Sequence, residues 1–426
     1  MNRNTTLGTL GVSLLLILIG IVSQQEAASI DSVQPNPQSH QTIDNLDNFA
    51  LTETKMSQLA NASNRFGFNL FTQIRNQQPQ DNLVISPSSV AIALAMVRNG
   101  TNGTAKEEMT TALELDLLEP SVVDQSYQRL METLKTADPN VKIAIANSFW
   151  VNQNITLKQQ FIKDAEEFYE AEVTNLDFAD SQTTNIINNW VAKNTANKIT
   201  QIVDSVSSED ALYLLNAIYF KGIWTNKFDA NATVEKPFYT NGSPQPQMMM
   251  NQTGDYRYYQ SDRFQAVRLP YGKKEELGMY IFLPQEDNSL AEFNEQLNID
   301  NWQEWLSQMR SQKGNLTIPR FKLEYETDLV EYLSALGIEQ IFSSSKADFS
   351  AMTDTPVAVD TVKHKTFIEV NEEGTEAAAV TSIGIRITSA MPKDTPFNMN
   401  VNRPFFFAIR DDITETILFM GNVIEP

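Results

Sequence analysis

Across 426 residues the chain carries two histidines, His40 and His364, and no cysteine. The missing sulfur excludes a thiolate nucleophile, a disulfide, an iron–sulfur cluster and sulfur-ligated zinc. Two imidazoles are also too few for most catalytic metal sites. His40 lies in a polar stretch without apolar periodicity, so a Ser-His-Asp arrangement would depend on His364 as its base. The other reading of His364 is structural: a buried neutral imidazole donates one hydrogen bond and accepts another. Glu372 and Glu373 could share acid and base work only if burial split their pKa values. Here they read as solvated groups that fix position, and no glycosidase pair is supported. Met248-Met249-Met250 reads as adaptable core filling and Trp224 as packing rather than a ligand platform. These residues predict no enzyme, no metal and no cofactor. A balance of 32 Lys plus Arg against 53 Asp plus Glu, net charge −21, repels a phosphate backbone or an anionic membrane.

The elements that must position these groups begin after an N-terminal preamble. Arg3, an apolar run from Leu10 to Val22 and the small residues Ala27, Ala28 and Ser29 read as a secretory signal over residues 1–28. Thirteen helical residues rise ~20 Å, short of the ~30 Å hydrocarbon layer, so export of a soluble product is expected, with no membrane association after cleavage. The product would be secreted and extracellular, or periplasmic in a bacterium. Residues 29–54, rich in Gln, Asn, Ser and Asp, read as a flexible polar leader. From residue 55 to 426 there is no linker, repeat or break in composition, which predicts one large α+β domain.

Within that domain Leu59, Phe66, Leu70 and Ile74 share a helix face at spacings of seven, four and four. Leu83-Val84-Ile85 reads as a buried strand, and Ser86-Pro87 as an N-cap with proline in the first turn of the next helix. Thr104 with Glu107 has capping-box spacing. Strands are expected at Ile143–Val151, Ala211–Phe220, Gly278–Leu283 and Asn315–Leu323, a helix at Phe161–Tyr169, and a closing hairpin of Val401–Ile409 with Thr416–Ile424 around Asp411-Asp412.

The segment from Glu372 to Ser389 alternates. Thr375, Ala377, Ala379, Thr381, Ile383, Ile385 and Ile387 form one small or apolar face, while Glu376, Ser382, Gly384 and Arg386 fall on the other. That is a strand with one buried face, yet its first half is Gly, Thr and Ala, which hold a strand poorly by packing and slide easily into a narrow slot. Periodicity alone leaves two readings: a permanent core strand, or one that enters a sheet later.

Several collinear stretches now carry a resemblance. Asn82 to Ser89 followed by Ala93-Leu94-Ala95-Met96, Leu215 to Trp224, Leu336-Gly337, Asp348-Phe349-Ser350, Val362 to Lys365, the Glu372 to Thr381 segment, and Asn402 to Phe407 together resemble the serpin family from about Ala60 onward. The resemblance implies one domain with three β-sheets, eight or nine helices and an exposed reactive-centre loop. It also implies suicide inhibition of serine proteases, with cysteine proteases as occasional targets. On this pattern Glu372, Gly374, Thr375, Glu376, Ala377, Ala378, Ala379, Val380 and Thr381 form the hinge of the bait loop. Counting sixteen residues beyond Glu372 places the scissile bond at Thr388-Ser389, with Arg386 and Lys393 as competing sites. A small residue at 388 implies an elastase-like or subtilisin-like target. The resemblance also places Ser86, Ser89, Asn216 and His364 in a polar cluster beneath the main sheet, and Trp224 in the packing at its top. A monomer acting without cofactor is implied. The alternative is a non-inhibitory relative that serves as a carrier, storage protein or chaperone. Such relatives tend to put charged or bulky side chains at the inward hinge positions, where this chain has Thr375, Ala377, Ala379 and Thr381.

Overall fold

The computed structural model describes residues 37–240, 243–375 and 395–426. The signal segment 1–28 and the start of the leader lie outside the described residues. The chain divides into two compact units, 1–49 and 50–426. Of the first, only the opening of a helix that begins at Pro37 is described, within the stretch whose composition reads as leader.

In chain order the elements are α1 (Pro37–Gln77), β1 (Leu83–Ile85), α2 (Pro87–Asn99), α3 (Gly103–Ala112), α4 (Pro120–Thr136), β2 (Val141–Asn152), α5 (Gln159–Tyr169), β3 (Glu172–Leu176), α6 (Thr183–Asn194) and β4 (Leu212–Ile223). There follow β5 (Val234–Thr240), β6 (Ser243–Gln260), β7 (Phe264–Tyr271), β8 (Leu277–Pro284), α7 (Leu290–Glu295), α8 (Ile299–Gln308), β9 (Arg310–Pro319) and β10 (Phe321–Asp328). The last are α9 (Val330–Ala335), β11 (Thr361–Asn371), β12 (Gly374–Thr375), β13 (Phe397–Asn400), β14 (Phe405–Asp411) and β15 (Ile417–Val423).

The four periodic residues of α1 are all fully buried. Ser86 caps α2 by accepting from the Ser89 amide, with Pro87 in the first turn. At α3 the expectation fails: the helix starts at Gly103, so Thr104 is not its cap. Asn102 precedes the first turn in an extended conformation, held there by its amide bond to the Asp348 carbonyl. The single strand expected at Asn315–Leu323 is in fact two, β9 and β10, in different sheets. Apolar alternation continues through the break, but Pro319 lacks an amide hydrogen to continue a ladder, and the Arg320 amide turns aside to the Met248 carbonyl.

Six strands make the main sheet in the order β10-β11-β12-β4-β2-β3. The others join in one network running β1-β15-β14-β8-β7-β6-β9-β13, with β5 on β6. Strand β6 is 18 residues long and pairs in turn with β5, β9 and β7, so two of the three expected sheets share one continuous strand. Nine α-helices are present among the described residues, and the family's α+β architecture is the observed one. The buried helix α2 packs on both β4 and β15, between the two networks. On the opposite face of the main sheet α6 buries Ile187 and Val191 in a cluster with Trp150, Tyr213, Leu215, Ala217 and Phe367. Both faces of β4 and β11 are therefore covered.

Candidate functional site

The strands β4 and β11 meet in a parallel seam that pairs Thr361–Phe367 with Tyr213–Tyr219, seven residues on each side. Their outer neighbours hold them differently. Strand β4 pairs antiparallel with β2 over eleven residues. Strand β11 pairs antiparallel with β10 over eight, and the Lys365 ammonium reaches both Glu324 and Glu326 across that junction. Parallel pairing is slightly weaker per residue. Against β2 on one side and β10 on the other, the seam is thus the shorter and weaker junction of each strand.

Above the seam the two strands part, and β12 stands between them, antiparallel to both. Gly374 pairs with Asn371 on β11 and Ile223 on β4, and Thr375 pairs with Val370 and Gly222. Gly374 has φ +152°, and a Cβ there would lie 2.0 Å from the Gly222 carbonyl oxygen, so only glycine fits this entry point. Thr375 is fully buried, its hydroxyl 2.6 Å from the Tyr271 hydroxyl. Tyr271 in turn stacks on Trp224, with ring centroids 4.3 Å apart and planes 12° from parallel. Burial drives the Tyr271 pKa well up, so the phenol stays neutral and able to donate.

The turn that leads into β12 is fixed by the chain that follows β4. The Trp224 amide donates to the Glu373 carbonyl at 2.9 Å and the Phe228 amide to the Glu372 carbonyl at 3.0 Å. The Trp224 indole donates to the Asn371 carbonyl at 2.9 Å. Glu372 is not solvated, contrary to the expectation from sequence: only 7% of it is exposed. Arg320 donates to its carboxylate from Nε at 2.7 and 2.9 Å and from Nη2 at 2.5 Å, and Thr233 adds a fourth bond. Burial raises the pKa of this carboxyl, but the bonds from Arg320 and Thr233 outweigh it and hold the group below its ordinary value. Glu373 pairs with Lys227 at the surface.

Below the wedge, at the middle of the seam, Ser86, Ser89, Asn216 and His364 come together, each at most 2% exposed. Asn216 Nδ2 donates to Ser89 Oγ at 2.5 Å, to the Ser89 carbonyl at 3.1 Å and to Asn147 Oδ1 at 2.6 Å. The Ser86 amide donates to His364 Nε2 at 3.1 Å, and Nδ1 lies 2.8 Å from Asn216 Oδ1. The ring is therefore the tautomer with its hydrogen on Nδ1. Burial takes its pKa down to about 3, against a smaller opposing effect of Asn216, which is far from that of a useful general base at neutral pH. Of the hinge, Glu372, Gly374 and Thr375 sit as described. Glu376, Ala377, Ala378, Ala379, Val380 and Thr381 lie outside the described residues, as do Arg386, Thr388, Ser389 and Lys393.

The sheet thus combines a short parallel seam with the start of the following loop wedged into its upper end. The family model described as serpin (serine protease inhibitor) matches residues 61–426, and the chain belongs to the serpin family. An uncharacterized serpin-like protein of Methanosarcina mazei is 32% identical, over 86% of this chain and 87% of its own length. Leukocyte elastase inhibitor of Equus caballus is 33% identical, over 87% of this chain and 100% of its own. Among solved structures, the thermophilic serpin tengpin in its native state matches with a TM-score of 0.78 at 30% identity, over 86% of this chain and 94% of that one.

Four residues of the site escaped sequence reasoning: Asn147, Thr233, Tyr271 and Arg320. Asn147 alone carried a signal, as an amide inside the apolar strand Ile143–Val151. Replacing Glu372 by Gln tests the anchor. At neutral pH the variant should be less stable by about 1–2 kcal/mol, because Arg320 loses a charged acceptor. A carboxylate whose folded pKa is depressed stabilises above its unfolded value, 4.5 here, and that contribution fades as pH falls through the lower folded value. Thermal midpoints of wild type and Glu372→Gln should therefore converge in acid. Equal midpoints at pH 7 would show that the pair anchors nothing.

Proposed function

We propose that this serpin is a suicide inhibitor of serine proteases, cut at about Thr388-Ser389, whose freed loop becomes a new strand between β4 and β11. The observation that carries this reading is the register of β12. If the inserted strand kept that register, Ala377 would come between Phe220 and Ile368, Ala379 between Ile218 and Thr366, and Ile383 between Leu214 and Val362. In an extended strand these positions would share the inward face of Thr375, and every flanking residue on β4 and β11 is buried. The inward loop residues are small where β4 and β11 present Phe220 with Ile368 and Ile218, and large only lower down. A charged inward residue, the mark of a carrier or storage relative, is missing.

In the chemical step the protease serine attacks the Thr388 carbonyl. Its hydroxyl proton passes through the protease's own base to the departing amine of Ser389, leaving Thr388 as an ester on the protease. Insertion must outrun hydrolysis of that ester. The register reaches Leu212, the first residue of β4, at Ile385, so a cut after Thr388 carries the acyl group three residues past the sheet. A cut after Arg386 leaves one residue. The new ladder, about fourteen residues at ~1 kcal/mol per hydrogen bond, releases on the order of ~10 kcal/mol, sufficient to distort the captured active site. Thr388 suits a shallow apolar pocket, elastase-like or subtilisin-like, in keeping with the relative named leukocyte elastase inhibitor. A cysteine protease would be held as the equivalent thioester. The protein works as a monomer, without cofactor and not as an enzyme, and the segment 1–28 directs it to secretion.

Mixed with elastase-like or subtilisin-like enzymes, the protein should give a covalent band that survives boiling in SDS, plus a fragment beginning at Ser389. Thr388→Arg should move inhibition to trypsin-like enzymes. Cleaved protein with fully active enzyme across a broad panel would leave the carrier reading instead.

Cleavage should also raise the thermal midpoint by ~20 °C or more. Thr375 is already buried before cleavage, so a substitution there would disturb the uncut protein as well. Ala379→Arg is the cleaner probe: its guanidinium would have to enter unpaired between Ile218 and Thr366. The variant should keep the uncut midpoint, lose the gain and behave as a substrate. An undiminished gain would place Ala379 outside the sheet.

A further inference from the structure

Resting on the insertion reading, a distinct role falls to a residue at the lower end of the seam. The upper end is parted by β12, but the lower end is closed beyond its first ladder pair, Thr361 with Tyr213. Asp360 stands immediately before β11. Its amide donates to the Leu212 carbonyl at 3.3 Å, and one carboxylate oxygen, Oδ2, accepts from the Ala211 amide at 2.7 Å and the Leu212 amide at 3.2 Å. A single residue thus sends three hydrogen bonds from the start of β11 to the start of β4. Two of them end on a carboxylate, and bonds to a charged acceptor are roughly twice as strong as neutral ones.

The segment that receives these bonds is fixed from its other side as well. Asn152, the last residue of β2, donates from its amide to the Ala211 carbonyl at 3.0 Å, and from Nδ2 to the Ser208 and Asp210 carbonyls at 3.3 and 3.2 Å. The Asn152 bonds lie within the β2–β4 side of the sheet, whereas those of Asp360 cross the seam. A strand added along the whole seam would move β4 and β11 from one strand spacing to two, from ~4.8 Å to ~9.6 Å. The Asn152 bonds survive that step. Those of Asp360 do not, because its short side chain is already in contact and cannot reach a further ~4.8 Å. Asp360 is exposed, so water can take its place on the freed amides once the strands part.

We propose that Asp360 is a clasp that holds the foot of the seam shut in the uncut protein, slows spontaneous entry of the uncleaved loop, and opens last when a cleaved loop enters. Entry starts at the upper end, where β12 is already paired with both strands, so parting runs downward and meets Asp360 at its end. The clasp stabilises the closed sheet alone. Asn152, which binds the same stretch of chain without crossing the seam, stabilises the closed and the parted sheet alike.

Wild type, Asp360→Ala, Asp360→Asn and Asn152→Ala would be compared by thermal midpoint, uncut and after cleavage in the bait loop. The uncut proteins would also be followed on warm storage for the rate at which they become resistant to that cleavage. Asp360→Ala should lower the uncut midpoint by about 2 °C or more and leave the cleaved midpoint at the wild-type value, so its gain on cleavage is larger. It should become resistant on storage roughly fivefold faster than wild type. Asp360→Asn, which keeps an acceptor oxygen without the charge, should fall between the two. Asn152→Ala should lower both midpoints alike. If Asp360→Ala lowers the cleaved midpoint as much as the uncut one, or becomes resistant no faster than wild type, the clasp is wrong while insertion stands. If cleaved wild type itself shows no thermal gain, insertion falls and the clasp falls with it.

Discussion

Seven residues of parallel pairing between β4 and β11 are the junction on which the rest of the molecule depends. Each strand is gripped more firmly on its outer side than at this seam, β4 by β2 and β11 by β10 with the Lys365 ion pairs added. On the insertion proposal, opening would separate two groups of strands and would not peel away a single strand. The covered faces make the same point from packing. With α2 on one side and α6 on the other, both faces of the two strands are covered, so the insertion proposed above would require a lateral parting.

The upper end of the seam is already parted and filled by Gly374 and Thr375. Starting a new strand between two others is the unfavourable part of insertion, because backbone freedom is lost before the ladder repays it. In the proposed mechanism that step would precede any cut, since β12 is already paired on both sides. Its cost is carried by interactions around the turn: the buried Glu372 carboxylate held by Arg320 and Thr233, the backbone bonds from Trp224 and Phe228, and the Thr375 hydroxyl against Tyr271. In the proposed mechanism, growth from this end would follow the register set by Gly374 and Thr375.

Much of this was legible in the sequence where the signal is local. The α1 face at Leu59, Phe66, Leu70 and Ile74, the capped start of α2 and the closing hairpin follow from spacing and turn chemistry within a few residues. The alternation after Glu372 leaves open a permanent core strand and one that enters later, and beyond Thr375 it lies outside the described residues. The grouping of Ser86, Ser89, Asn216 and His364 came from family resemblance, since nothing in their spacing brings residues so far apart together. What stayed hidden depends on contacts at long range: Arg320 reaches Glu372 across 52 residues and Tyr271 reaches Thr375 across 104. Glu372 was misread as solvated because a carboxylate next to another, in a polar stretch, shows no sign of a distant guanidinium. The β9–β10 break was missed because both strands keep the same apolar alternation through Pro319 and Arg320.

The central claim is geometric, and a crystal structure of the protein cleaved in the bait loop tests it most directly. The quantity to read is the separation of the Asn216 and His364 Cα atoms, which are neighbours across the seam in the uncut protein. The account predicts that it grows to about two strand spacings, ~9.6 Å, with a continuous antiparallel strand from Gly374 lying between them. A cleaved protein in which β4 and β11 remain paired, with the cut loop outside the sheet, would contradict it.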